Sequence, residues 1–260
     1  MNPTAAKQPG RAQQPGRGQS PAPTDGSSVE PGPGPGFSSG GSFDSPIIKV
    51  CGVGYPVDAR MVVEAGATHV GFVFAEGSRR RVTRASAETM VEASQGVKRV
   101  GVFQAQNFGT IRAAAKLFHL DIVQLHGGYE LEDAMEVADS TGLEVWWAAA
   151  FQADVVLKAP AGASMLLVDT AGARGFGGTG ETFDWASLVR PAGPFLVAGG
   201  LTPDNVVQAI VQMQPWGVDV SGGVELQGGA GAPRKDAQKV REFVERARAA
   251  FSPTSAQEGV

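Results

Sequence analysis

The sequence lacks the features of secreted, membrane-spanning and nucleic-acid-binding proteins. Its 260 residues include a single cysteine, Cys51, so no internal disulfide can form. No apolar run approaches the roughly 18 residues of a membrane helix. The formal charge is −4, and basic residues cluster only at Arg79, Arg80, Arg81 and Arg84, which is too little for a nucleic-acid-binding stripe. We therefore expect a cytoplasmic globular protein with no nucleic-acid or membrane partner.

Residues 1–45 have almost no aliphatic side chains and contain eight of the 17 prolines. Such a segment buries too little apolar surface to offset the entropy of ordering it, so we expect a disordered tail. The first 24 residues contain no acidic side chain, which leaves an organelle transit peptide as the alternative. We expect one catalytic domain over residues 46–250 and a flexible tail over residues 251–260.

Short apolar runs alternate with helical patterns from residue 46 onward. Strands are predicted at 47–51, 69–74, 99–103, 121–125, 144–148, 165–169, 195–198 and 217–220. Helices are predicted at 57–65, 85–94, 108–117, 131–140, 203–212 and 235–249, with at most a short helix at 153–158. Alternating strands and helices indicate a parallel sheet, and eight such units predict a single-domain (β/α)8 TIM barrel.

One predicted strand, at 165–169, ends on a carboxylate, Asp169, and a glycine-rich loop follows it. Ligands of α/β proteins gather at the carboxyl ends of strands, so Asp169 is a catalytic candidate, with a simple turn residue as the alternative. The loop from Gly175 to Gly180 matches the G-x-G-x-x-G pattern. However, five residues separate it from the strand and no acidic residue follows at the required spacing, so we expect no dinucleotide cofactor.

Cys51 ends the first predicted strand and faces the same end of the barrel as Asp169. A lone cysteine can be a small buried hydrophobe, which is the alternative to a catalytic thiol. The ordinary pKa of a thiol is about 8.5, so modestly electropositive surroundings would make the thiolate available. An acid and a base at one site suit an isomerase that transfers protons.

Small residues follow the last two predicted strands, at Gly199 and Gly200 and at Ser221, Gly222 and Gly223. Glycines let backbone N–H groups approach a phosphate closely, and this end of a barrel is a common phosphate site. Tight turns alone are the alternative reading. The pattern favours a phosphorylated small-molecule substrate.

Seven motifs occur in order along the barrel. They are Lys49-Val50-Cys51-Gly52, Gly71-Phe72-Val73-Phe74 with Ser78-x-Arg80, Gly101-Val102-Phe103, Gln124-Leu125-His126-Gly127, Leu167-Val168-Asp169-Thr170 with Gly177-Gly178-Thr179-Gly180 and Phe183-Asp184-Trp185, Ala198-Gly199-Gly200-Leu201, and Asp219-Val220-Ser221 with Gly223-Val224-Glu225. Together they resemble the phosphoribosylanthranilate isomerase family, from Lys49 to the last helix.

The resemblance implies an aldose–ketose isomerase of tryptophan biosynthesis that needs no cofactor or metal and is a monomer or homodimer. Its reaction is the Amadori rearrangement of N-(5-phosphoribosyl)anthranilate to 1-(2-carboxyphenylamino)-1-deoxyribulose 5-phosphate. Asp169 would be the general acid and Cys51 the general base. The resemblance also implies the substrate contacts. Arg80 would bind the anthranilate carboxylate, and Gln124, His126 and Asp219 would line the site. The phosphate would be bound by the backbone N–H groups of Gly199, Gly200, Ser221 and Gly222.

Two positions depart from the family pattern. Arg79 stands where a proline is usual, which leaves open whether Arg79, Arg80 or Arg81 meets the carboxylate, and Gly222 replaces a second serine. The alternatives are a related phosphosugar barrel and a non-catalytic barrel that binds a phosphorylated ligand. The related barrels are the aminoimidazole carboxamide ribotide isomerase, which would need a second catalytic aspartate instead of Cys51, and indole-glycerol-phosphate synthase, which would need catalytic lysines.

Overall fold

The computed structural model describes residues 45–152, 155–170, 189–228 and 231–252. Eight strands pair in parallel in chain order, and the sheet closes where the first strand pairs with the eighth. The strands are β1 (Ile47–Val50), β2 (His69–Val73), β3 (Lys98–Phe103), β4 (Ile122–His126), β5 (Glu144–Ala150), β6 (Met165–Asp169), β7 (Phe195–Ala198) and β8 (Gly217–Val220). This closed barrel confirms the predicted (β/α)8 fold.

Six α-helices of the described residues surround the strands: α1 (Pro56–Glu64), α2 (Ala87–Ala93), α3 (Phe108–Leu117), α4 (Asp133–Thr141), α5 (Val206–Met213) and α6 (Ala237–Phe251). Their ends follow local chemistry. The Asn107 side chain accepts a hydrogen bond from Thr110 N before α3, and the Asp236 side chain accepts two before α6. Gly142 ends α4 in the left-handed conformation.

Most predicted boundaries agree with the structure to within two residues, and the start of α5 is the main exception. The helix was predicted from Pro203, but it begins at Val206. Thr202 Oγ1 does accept from Asp204 N at 3.2 Å, while the Asn205 side chain folds back to Thr202 N and Gly200 O. Thr202 O accepts from Asn205 N at 3.4 Å and from Val206 N at 3.2 Å, so residues 203–205 form the turn that leads into α5.

The strands alternate their side chains between two apolar layers. One layer fills the barrel interior and includes Ile47, Trp146 and Leu167, all of which are almost completely buried. The other lies between the strands and the helices and includes Phe72 and Phe118. Each fully buried side chain of this kind contributes about 1.5–3 kcal/mol through the removal of apolar surface from water. The packed interior leaves the carboxyl ends of the strands as the place for a site.

Several predictions concern residues outside the described ranges. They are residues 1–44 of the predicted N-terminal tail, the loop from Gly175 to Gly180, the motif Phe183-Asp184-Trp185 and residues 253–260 of the predicted C-terminal tail. Among the helices that the structure describes, none is both long and apolar enough to span a membrane.

Candidate active site

All ten predicted site residues lie at the carboxyl end of the barrel, in the strands or in the loops that follow them. Cys51 follows β1, Arg80 lies in the loop after β2, Gln124 and His126 belong to β4, Asp169 ends β6, Gly199 and Gly200 follow β7, Asp219 belongs to β8, and Ser221 and Gly222 follow it. Residues that are far apart in the sequence, such as Cys51 and Gly222, thus share one end of the fold.

Cys51 is buried, with 9% of its surface exposed, and it packs against Val73, Ala75 and Val102. Its backbone N–H donates to Val220 O at 2.8 Å, which ties β1 to the end of β8. Burial raises the pKa of the Cys51 thiol, and this effect exceeds the lowering by nearby lysine charges. The charges of Lys49 and Lys235 act to lower this pKa, but they do not bring it below its ordinary value.

Two charged groups lie directly beneath Cys51. Lys49 is completely buried, and its Nζ donates to Asp219 Oδ2 at 2.8 Å. Burial acts to lower the pKa of Lys49, but the charges and hydrogen bonds of Asp219 and Cys51 raise it above its ordinary value. Lys49 therefore remains a cation next to the thiol. We assigned it no role from the sequence, although a lysine in an otherwise apolar buried strand is itself a sign of a buried partner.

Asp169 lies next to a histidine from β4. His126 Nε2 is 3.7 Å from Asp169 Oδ2, and the side chains of both residues are partly exposed. Gln124 Nε2 lies 3.5 Å from His126 Nδ1. The Oε1 atom of Gln124 is buried and has no hydrogen-bond partner among the described residues. The three side chains thus form a polar row at the carboxyl end of the barrel.

Arg80 is the arginine of its loop that turns toward the barrel mouth. It makes a bidentate ion pair with Glu225, with Nε–Oε1 and Nη2–Oε2 distances of 2.7 and 2.8 Å. Its side chain crosses Gly52, where an added Cβ would lie 2.4 Å from Arg80 Cδ. Arg79 instead reaches Gly231 O, and Arg81 is exposed and belongs to a bridge with Val73. The fold therefore separates three arginines that are adjacent in sequence.

Glu225 is held by a second cation. The buried Lys235 donates from Nζ to Glu225 Oε1 at 3.0 Å and to Ser221 O at 3.1 Å. Burial acts against the ionisation of Glu225, but the hydrogen bond from Arg80 and the charge of Lys235 hold its pKa below the usual value. The loop after β2 is thereby linked to the loop after β8. Sequence reasoning gave no role to Glu225 or Lys235. Their ion pairs, with Arg80 and with each other, form only when the chain is folded.

The two glycine-containing loops lie against each other. A Cβ added at Gly223 would be 1.9 Å from Leu201 O, so only glycine allows this approach. Gly199 and Gly200 have φ values of 83° and 66°, which also favour glycine. Thr170 Oγ1 lies within hydrogen-bonding distance of Ala198 O and Gly199 O. The loops thus form one small-residue surface at the barrel mouth, suited to the close approach of an anion.

No group of three or more potential metal ligands occurs within the described residues. A cavity of 720 Å³ lies at the opposite end of the barrel, next to Ser45, Thr68, Lys98 and Arg248. It contains none of the predicted site residues. The chemistry-bearing side chains therefore gather at the barrel mouth and not around this cavity.

Comparison with known proteins gives one consistent answer. Residues 48–246 match the model of the N-(5′-phosphoribosyl)anthranilate (PRA) isomerase family. The sequence is 39% identical over 215 residues to the N-(5′-phosphoribosyl)anthranilate isomerase of Geobacter metallireducens, an alignment that covers 78% of this chain and 98% of that protein.

Two solved structures are similar as well. The crystal structure of TrpF from Jonesia denitrificans superimposes with a TM-score of 0.70 at 36% identity, covering 81% of this chain and all of that one. A phosphoribosyl anthranilate isomerase in complex with reduced 1-(o-carboxyphenylamino)-1-deoxyribulose 5-phosphate has a TM-score of 0.60 at 28% identity, covering 78% and 98% of the two chains.

Proposed function

This chain belongs to the phosphoribosylanthranilate isomerase family and is an isomerase of tryptophan biosynthesis, and we propose that Cys51 and Asp169 are the general base and the general acid of its reaction. The reaction is the Amadori rearrangement of N-(5-phosphoribosyl)anthranilate to 1-(2-carboxyphenylamino)-1-deoxyribulose 5-phosphate. The observation that best supports the assignment is that a buried thiol and a partly exposed carboxylate share the barrel mouth with the two glycine loops.

Asp169 starts the reaction by protonating the furanose ring oxygen. The bond between that oxygen and C1′ breaks, the nitrogen lone pair forms a Schiff base with C1′, and the ring oxygen becomes a hydroxyl. General acid catalysis of this kind contributes typically 10²–10⁴-fold to a rate. His126, 3.7 Å from Asp169, lines the site and takes no part in proton transfer in this proposal.

Cys51 then acts as a thiolate and removes the C2′ proton. The electrons of the C2′–H bond form a double bond between C1′ and C2′, and the Schiff-base nitrogen becomes neutral, which gives an enolamine. The enolamine tautomerises to the ketone when C1′ gains a proton and the 2′-hydroxyl loses one. Burial raises the pKa of the Cys51 thiol, so the thiolate must form in surroundings that disfavour its charge.

The two ends of the substrate bind on either side of the reacting carbons. Arg80 binds the anthranilate carboxylate, for which its planar guanidinium is well shaped. Of the nitrogen atoms of the Arg80 guanidinium, only Nε and Nη2 donate to Glu225, so Arg80 retains N–H groups for this contact. The backbone N–H groups of Gly199, Gly200, Ser221 and Gly222 bind the phosphate, and Gln124 and Asp219 line the space between. The proposal includes a cytoplasmic location and a monomer or homodimer as the working species.

Turnover of freshly generated phosphoribosylanthranilate, followed by its fluorescence, tests this assignment. Cys51→Ala and Asp169→Asn should each lose at least the roughly 10²-fold that general acid–base catalysis supplies, with their folds intact by circular dichroism. Asp121→Asn is the matched control, since Asp121 precedes β4 at the opposite end of the barrel and should leave kcat nearly unchanged. Unimpaired turnover by Cys51→Ala or Asp169→Asn would refute the assignment of that residue.

A further inference from the structure

Lys49 is the charged group that lies beneath the reacting end of β1. We propose that Lys49 is a positioning residue whose buried ammonium, fixed by Asp219, stabilises the Cys51 thiolate from which the proton abstraction starts. The inference rests on the proposed function, because it assumes that Cys51 is the base. It adds a third residue to the acid–base pair and gives Asp219 a role other than contact with the substrate.

The strand geometry places the ammonium on the same side as the thiol. Lys49 and Cys51 are two residues apart at the end of β1, so both side chains point into the barrel. In the pairing of β1 with β8, Lys49 lies directly opposite Asp219, and the two side chains meet at 2.8 Å. Lys49 has no exposed surface, so water does not screen its charge. Asp219 Oδ1 has no hydrogen-bond partner among the described residues, which leaves Lys49 as the fixed neighbour of that carboxylate.

A structural role alone gives little reason for this pair. Removing two charges from water costs several kcal/mol for each ion, and well-packed apolar replacements of buried ion pairs are often neutral or stabilising. Besides Asp219, the barrel interior near Lys49 contains His69, which lies opposite it in the pairing of β1 with β2, and apolar side chains such as Ile47, Trp146 and Leu196. A hydrophobic residue at position 49 would suit this packing. The cation is explained if the base above it must carry a negative charge on sulfur before it removes the C2′ proton.

The remaining charges around Cys51 do not replace Lys49. Lys235, which precedes α6, and Arg80, from the loop after β2, are both ion-paired with Glu225. The residue of β2 that faces the thiol is Gly71, which carries no charge. Burial is the largest influence on the pKa of Cys51 and raises it; Lys49 then lowers it more than Asp219 raises it, and Lys235 has the smallest effect. The net rise would therefore be larger without Lys49.

The single cysteine makes a direct test feasible, because any thiol reagent reports on Cys51 alone. Below the pKa of the thiol, the rate of alkylation by iodoacetamide is proportional to the thiolate fraction. In Lys49→Met, which nearly matches lysine in volume, we expect the thiol pKa to rise by about one unit or more, so that alkylation at fixed pH slows about tenfold. Lys235→Met is the matched control, another buried lysine at the same end of the barrel, and should shift the pKa far less.

A second variant serves if Lys49→Met does not fold. In Lys49→Met/Asp219→Asn both charges of the pair are removed, so no unpaired carboxylate remains buried. We expect its thiol pKa to rise by less than in the single variant but still above that of the parent, because Lys49 outweighs Asp219. If every folded variant without Lys49 keeps the parental thiol pKa, or has a lower one, the proposal is wrong.

Turnover gives the readout that separates this proposal from the proposed function. In Lys49→Met the basic group seen in the pH profile of kcat/KM should move to higher pH by the same amount as the thiol pKa. A uniform loss of activity with an unmoved profile would show a merely structural role and overturn the proposal. An inactive parent would refute the proposed function, whereas the alkylation experiment would still decide whether Lys49 stabilises the thiolate.

Discussion

Gly71 in β2 faces Cys51, and replacing it with alanine should lower turnover far more than it lowers stability. A Cβ at this position would lie 2.7 Å from Cys51 Sγ and 3.0 Å from Cys51 Cα. Ordinary contacts begin at 3.4 Å, so the sulfur must move by about 0.7 Å, the difference between 3.4 and 2.7 Å. A misplacement approaching 1 Å can cost about 10²-fold in rate, and we expect a loss in kcat of that order.

The cost in stability should be modest. An extra methyl group in a well-packed core costs typically about 1–3 kcal/mol, and each kcal/mol lowers the Tm of a domain of this size by about 2–4 °C. Gly71→Ala should therefore still be folded at the temperature of the assay. Its kcat would be measured with phosphoribosylanthranilate, and its Tm by circular dichroism.

A second strand glycine provides the matched control. Gly101 in β3 points away from the barrel interior, and a Cβ there would lie 2.4 Å from Leu120 Cδ1 and 2.7 Å from Phe103 Cε2. Gly101→Ala should lose a comparable amount of stability and keep a kcat close to that of the parent, because the strain falls between β3 and the helices. If Gly71→Ala retains its kcat to within a few-fold, or if Gly101→Ala loses as much, the contact with Cys51 does not explain the effect.

Two further expectations concern a substrate contact and the response to pH. Arg80→Met should raise KM by roughly 10–100-fold, since a hydrogen bond to a charged group is worth about 1.5–3 kcal/mol, whereas Arg79→Met should not; equal KM values for the two variants would contradict the choice of arginine. Burial, with the charges of Lys49 and Lys98, lowers the pKa of His69 to about 4, so the unfolded chain binds the proton more tightly and stability falls as the pH drops from about 6.5 to about 4. The shift is worth about 3 kcal/mol in the free energy of unfolding. Urea titrations at neutral and acidic pH would measure the loss of stability, and His69→Gln should remove this part of it. An unchanged loss of stability in this variant would exclude His69 as its source.

Local patterns were sufficient to predict the barrel and its catalytic end. Buried strands such as Met165–Asp169 are short apolar runs, and helices such as Phe108–Leu117 have a periodic apolar face, so both can be recognised without knowledge of their neighbours. Once eight such units are counted, right-handed parallel connections leave few topologies other than a closed barrel. The placement of Cys51 and Asp169 at strand ends followed from the same count.

The boundaries and the local turn chemistry were less predictable. Thr202 followed by proline is a strong signal for the start of a helix, yet residues 203–205 form a turn and α5 begins at Val206. The choice among Arg79, Arg80 and Arg81 could not be made from sequence, because adjacent residues in a loop follow no periodic rule. It depends on Glu225, which lies 145 positions away from Arg80.

The sequence by itself determined the fold, the residues that stand at the carboxyl ends of the strands and the family, because these depend on periodicity and on motifs within a few residues of one another. Only the tertiary structure decided which charges meet. Lys49 and Asp219 are 170 positions apart and become partners only when β8 closes against β1. The pKa of Cys51 is likewise a property of the closed barrel, since burial and a neighbouring ammonium act on the thiol only after the strands have brought them together.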